Sequence, residues 1–90
     1  MEEYRKIIDE IDDQIMKLLV DRLLIVKDIG LYKKQNKIPI FDPGREQLIF
    51  DKIDKKYNQK EENTFVKNIY CNMMVETKKI QYPNTSYLPQ

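Results

Sequence analysis

Several charged and hydrogen-bonding side chains stand where helical stripes would otherwise be apolar. Arg22 interrupts the series Ile8, Ile15, Arg22, Ile29, and Lys33 follows eleven residues later, about 20° around the same helix at ~100° per residue. Glu46 opens a stripe that continues through Ile49 and Ile53, and Thr77 and Gln81 replace apolar residues at the end of another that includes Ile69, Met73 and Met74. Three segments thus aim polar groups at one region, and a buried unpaired charge is costly, so the cluster must be internally paired or meet a ligand. Counting Arg5, Arg22, Lys33 and Arg45 against Asp42 and Glu46, cations outnumber acids. Permanently protonated guanidiniums in excess suit a small dicarboxylate held by bidentate hydrogen bonds.

The chain lacks the equipment of most other chemistries. It has no histidine, the commonest general base, metal ligand and triad partner. One cysteine, Cys71, forbids an internal disulfide and fits a reducing cytoplasm. Gly30 and Gly44 are too few for a phosphate-cradling loop, so neither metal nor cofactor is expected. Binding groups without nucleophile or base leave two possibilities: a binding module, or an enzyme acting through conformational restriction and electrostatics.

The elements that must position these groups are helices. From Tyr4 to Tyr32 apolar residues recur as Tyr4, Ile11, Leu18, Ile25, Tyr32 beside the Ile8 series, a seam with heptad spacing. No proline interrupts it between Glu3 and about Gln35, which predicts a helix of ~30 residues, roughly 45–50 Å long. A compact chain of 90 residues has a radius of gyration near 12 Å, so this helix overshoots its own domain. The protruding stripe needs a cover, and a second copy related by a two-fold axis supplies one. Asp42-Pro43 provides an N-cap and a first-turn proline for a second helix, closed by Asn58-Gln59-Lys60. Glu61 and Glu62 favour the start of a third, whose stripe runs from Phe65 and Val66 to Ile80 and Gln81 before Pro83. The expected architecture is all-α, a domain over residues 1–82 followed by a loosely ordered tail over 83–90.

Size and charge agree with this. One small core is all that 90 residues can build, and with 34% charged against 41% hydrophobic residues, oligomerisation is the expected source of further stability. The formal charge of +1 attracts neither nucleic acid nor anionic membrane, and no apolar run approaches a signal peptide or a span.

Each residue also has an ordinary structural account. Arg22 could pair with Glu46 as a register-setting ion pair, and Lys33 could favour the helix C-terminal dipole. Asp42 caps a helix whatever else it does, and Arg5 and Arg45 could be solvated cations. Thr77 and Gln81 at a fraying helix end are weak signals singly, and Cys71 beside Met73 and Met74 reads as core filling.

Taken jointly, Arg5 followed by Ile8-Asp9-Glu10-Ile11-Asp12, then Leu18-Leu19-Val20-Asp21-Arg22, Ile29-Gly30-Leu31-Tyr32-Lys33, Asp42-Pro43-Gly44-Arg45-Glu46 and a final Gln81 resemble the AroQ class of chorismate mutases, the all-helical type II enzymes. The resemblance covers residues 4 to about 81. It implies an intertwined homodimer of three-helix protomers that rearranges chorismate to prephenate, a [3,3] shift in phenylalanine and tyrosine biosynthesis without covalent or acid–base catalysis. By position, Arg5 enters the partner's site, while Arg22, Lys33, Asp42, Arg45, Glu46, Thr77 and Gln81 line their own. Arg5 and Arg22 clamp the carboxylates with support from Arg45. Lys33 and Gln81 donate to the ether oxygen, and Glu46 with the Asp42 region holds the ring hydroxyl. Position 77 is usually serine in this class; Thr77 keeps the hydroxyl and adds a methyl group.

Two other functions fit less well. An isochorismate-pyruvate lyase on this fold resembles the chain less around Asp42 and Glu46. A non-catalytic helical interaction or effector module would be expected to lack the pocket residues, which are present. A start at Met1 favours a free-standing chain, and 90 residues leave little room for an effector domain, so the chain is expected to be unregulated on its own.

Overall fold

The computed structural model describes residues 1–81, which form three α-helices: α1 Glu2–Gln35, α2 Pro43–Lys56 and α3 Lys60–Gln81. No strand occurs among the described residues, in agreement with the all-α expectation. The expectation of a loosely ordered tail over 83–90 lies outside them.

α1 extends for 34 residues, its first turn carrying Glu2 and Glu3 and its last turn Lys33 and Lys34, each the sign its dipole end favours. It stops through backbone closure rather than at a proline. The Ile38 N–H donates to the Lys33 carbonyl at 2.8 Å and the Lys37 N–H to the Lys34 carbonyl at 3.3 Å, the paired bonds of a Schellman turn. Lys37 takes φ 56°, the left-handed conformation that glycine adopts most cheaply. This reversal brings the next segment back along the bundle and buries Ile40.

α2 begins as its sequence requires. The Asp42 carboxylate accepts the Arg45 N–H at 2.9 Å, and Pro43 occupies the first turn, where its missing N–H costs nothing. Tyr57 ends the helix, and the following turn is pinned by Asp54, which pairs with Lys67 at 2.6 Å and accepts from Asn63 at 2.9 Å. The Lys67 and Asn63 hydrogen bonds hold this exposed carboxyl below its usual range.

α3 packs against both other helices, whereas no Cα of α1 lies within 8 Å of one in α2. A space therefore separates α1 from α2, with α3 bridging it. Among the described residues the buried apolar ones are few: Val26, Ile40, Ile53 and Met74, at most 6% exposed. The molecule measures 51 × 27 × 20 Å with a radius of gyration of 16.2 Å, well above the ~12 Å of a compact chain this long. The long axis equals the length of α1, confirming that this helix outruns its domain.

Much of the anticipated apolar stripe is open in the single chain. Tyr4, Ile8, Ile11, Ile15, Leu18 and Ile25 are all exposed, the last at 58%. Two expectations for α3 need correction: Phe65 and Ile69 are exposed, and so is Cys71, which does not fill the core. At ~100° per residue Phe65 and Ile69 lie on the side of α3 turned away from Met74 and Gln81, whereas Val66 and Tyr70 at the same end are half-buried. Cys71 lies beyond the buried sector that holds Met74.

Candidate active site

The space between α1 and α2 is a cavity of about 300 Å³. From α1 come Arg22 and Lys33, eleven residues apart and on the same side as the spacing predicts. From the start of α2 come Asp42, Arg45 and Glu46, carried there by the cap and the first helical turn. From the last turns of α3 come Thr77 and Gln81. All seven groups expected in one site therefore share this cavity, over a floor that includes Val26, Ile29, Ile40, Ile49 and Met74.

Arg5 is elsewhere. Seventeen residues of α1 separate it from Arg22, about 25 Å at ~1.5 Å per residue, and it does not line the cavity. A wider depression of about 790 Å³ lies at the α2–α3 turn, but its lining sets Lys60 against Glu61 and Glu62 and gathers none of the expected groups.

Inside the cavity the side chains hold one another. Arg22 Nη1 donates to Thr77 Oγ1 at 2.6 Å, and that hydroxyl donates in turn to the Met73 carbonyl at 2.8 Å. Lys33 Nζ donates to the Ile40 carbonyl at 3.3 Å. Gln81, only 5% exposed, donates through Nε2 to the Val26 carbonyl at 3.3 Å. Each contact uses one N–H of a group that has several, since guanidinium carries five, ammonium three and amide two. No buried side-chain nitrogen or oxygen among the described residues lacks a partner.

The suggested Arg22–Glu46 ion pair is not formed. Arg22 turns to Thr77, and Glu46 Oε2 instead meets Lys78 Nζ at 3.2 Å. The Lys78 ammonium also lies 4.8 Å from the centroid of the Phe41 ring, within cation–π range. Lys78 lines the cavity and is the group that sequence reasoning missed. Its signal was its spacing: three residues before Gln81, it belongs on the same face of α3. With Lys78 included, the lining has four cations, Arg22, Lys33, Arg45 and Lys78, against two carboxylates, Asp42 and Glu46. The net charge of +2 exists in a chain whose total is +1.

Three helices thus enclose a small, cation-rich cavity in a chain that has no histidine. The family model for chorismate mutase type II matches residues 4–82, and the chain belongs to that family. It is 42% identical over 81 residues to a chorismate mutase of Methanocaldococcus jannaschii, an alignment covering 88% of this chain and 81% of the relative. It is 45% identical over 53 residues to a bifunctional chorismate mutase/prephenate dehydratase of Aquifex aeolicus, covering 59% of this chain and 15% of that protein. No solved structure gives a significant match. Neither the lyase nor the non-catalytic module is favoured by these relatives. No helix among the described residues is long and apolar enough to cross a membrane.

Proposed function

We propose that the cavity between α1 and α2 binds chorismate and that the chain isomerises it to prephenate. The convergence of the seven expected groups on one cavity of net positive charge carries this reading. In the reaction the enolpyruvyl side chain folds over the ring, the ether C–O bond breaks, and a C–C bond forms. No proton moves, so a site without a base is sufficient, and catalysis reduces to holding the folded conformer and stabilising charge on the departing oxygen.

Arg22, steadied by the Thr77 hydroxyl, clamps one carboxylate. Arg45 supports the anion-binding wall. Lys33 and Gln81 donate to the ether oxygen as it gains charge, and Glu46 with the Asp42 region receives the ring hydroxyl. Because the Thr77 hydroxyl already accepts from Arg22 and donates to Met73, it serves the carboxylate through Arg22. An assay with chorismate and isochorismate supplied separately tests the reaction. Consumption of chorismate with formation of prephenate is expected; pyruvate release from isochorismate alone would replace this reading with the lyase.

The same reading makes the protein a homodimer whose partner supplies Arg5. Two observations support it. Ile8, Ile11, Ile15 and Leu18 are exposed on the first half of α1, and losing the remaining exposed surface would gain roughly 1 kcal/mol for each. Between α2 and α3, a second cavity of about 320 Å³ is lined by Arg22, Arg45, Lys52 and Lys56, with apolar Leu48 and Ile53 and no carboxylate. The first half of α1 complements it, with Glu2, Glu3, Asp9, Glu10, Asp12 and Asp13 alongside the apolar stripe. Docked there, α1 of a second copy brings Arg5 towards the site it cannot reach in its own chain. A cytoplasmic setting belongs to this reading, in which Cys71 remains a free thiol.

Sedimentation at micromolar concentration should find only dimer, and a stable folded monomer would exclude the shared site. Complementation tests Arg5 directly. Arg5→Ala and Arg22→Ala chains, each inactive, should regain about a quarter of wild-type activity when refolded together. Half the dimers formed would be mixed, each with one intact site and one lacking both arginines. Mixtures as inactive as their parents would place Arg5 outside the site.

A further inference from the structure

Lys78 enters the cavity one residue after Thr77, and its ammonium is fixed from two sides, by Glu46 Oε2 at 3.2 Å and by the Phe41 ring at 4.8 Å. The side chains of Lys78 and Glu46 are 32% and 27% exposed, so the pair is half-buried. Its neighbour Lys79 shows the alternative for a lysine near a helix end, pairing with Glu76 on the open surface at 66% exposure.

The choice of partner matters because the cavity holds three other cations. Arg22 and Lys33 on α1 and Arg45 on α2 line the same cavity as Glu46. Had one of them paired with Glu46, a ligand for substrate would be consumed. Instead Arg22 is turned to Thr77 and Lys33 to the Ile40 carbonyl, while the Asp42 carboxylate is occupied by the Arg45 backbone N–H. Glu46 and the two α1 cations thus have separate partners.

We propose that Lys78 is a positioning residue for the isomerisation: through its ion pair it holds Glu46 as a charged acceptor aimed at the substrate's ring hydroxyl, leaving Arg22, Lys33 and Arg45 to the carboxylates and the ether oxygen. This rests on the chorismate reading above. Lys78 makes and breaks no bond. It makes the site selective for a ring bearing a hydroxyl donor, because a carboxylate oriented in a half-desolvated pair loses most when no donor meets it.

The test compares kcat and KM of wild type, Lys78→Met, Lys78→Arg, Glu46→Gln and the Lys78→Met/Glu46→Gln double variant. Substrates are chorismate and an analogue whose ring hydroxyl is replaced by hydrogen. Lys78→Met should lower kcat/KM on chorismate by about tenfold, the scale of one partly exposed charge-assisted hydrogen bond, and Lys78→Arg should recover most of it. The loss should largely vanish in the Glu46→Gln background and with the deoxy analogue. A Lys78→Met enzyme as active as wild type overturns the proposal, as does a loss of equal size in the Glu46→Gln background or on the analogue. Should the methionine variant not fold, Lys78→Gln keeps the length and polarity and carries the same comparison. Wild-type protein that fails to turn over chorismate would refute the reaction itself, an outcome separate from any result with the variants.

Discussion

Lys33→Ala is expected to lower kcat by roughly 10²–10³-fold while leaving the helices and their assembly intact. The reaction separates charge: as the ether bond lengthens, its oxygen becomes partly anionic, and a donor already in place there gains strength in the transition state alone. Removal of one such preorganised donor typically costs roughly 3–4 kcal/mol. The structural alternative assigns Lys33 the Ile40 carbonyl, which it meets at 3.3 Å, and thus a part in closing the turn after α1. That contact is long and partly exposed, and the turn retains its own backbone bonds from Ile38 and Lys37. A structural role therefore predicts a small loss of stability and near-normal turnover. Circular dichroism and sedimentation report the first, and kcat at saturating chorismate the second. A variant that is stable, dimeric and still fast would return Lys33 to the turn.

How well such groups can be read from a sequence depends on what each one opposes. Arg22 and Lys33 were legible because they break a long apolar series whose period fixes their direction. Asp42 was legible because Asp-Pro at a helix start has a local mechanism independent of the rest of the fold, and the observed Asp42–Arg45 bond is that mechanism. Lys78 was harder: its spacing from Gln81 marks a face, but it stands beside Lys79 near a helix end, where paired lysines ordinarily extend into water, and Phe41 and Glu46, distant in sequence, turn it inward. The partner of Glu46 was left open for a related reason. Charge complementarity names candidates, and geometry across three helices chooses among them. Exposure was the hardest quantity to read: the periodicity that unites Phe65 and Ile69 with Met73 identifies a shared face, and coverage of that face depends on what lies against it. In α1 the same pattern gave the helix nearly to the residue, Glu2–Gln35 against an expected Glu3 to about Gln35, yet left most of its stripe open in one chain.

Gln81→Glu should convert a turnover that varies little with pH into one that rises in acid. Gln81 is buried, and its amide donates to the Val26 carbonyl in the lining of the cavity that also holds Lys33. A second amide N–H remains to serve the ether oxygen, and an amide donates at any ordinary pH. With no histidine in the chain, wild-type kcat should change little between about pH 5 and 8. The glutamate variant presents, near neutrality, a carboxylate that cannot donate, set against both the Val26 carbonyl and an oxygen gaining negative charge. Turnover should fall there and recover as acid protonates the new side chain, which can then donate again. Burial beside a carbonyl raises the pH of that recovery, and Lys33 lowers it, so the midpoint reflects their difference while the direction does not. Circular dichroism across the same pH range separates recovery of chemistry from recovery of fold. A Gln81→Glu profile parallel to wild type would mean that residue 81 ties α3 to α1 through Val26 and never meets the breaking bond.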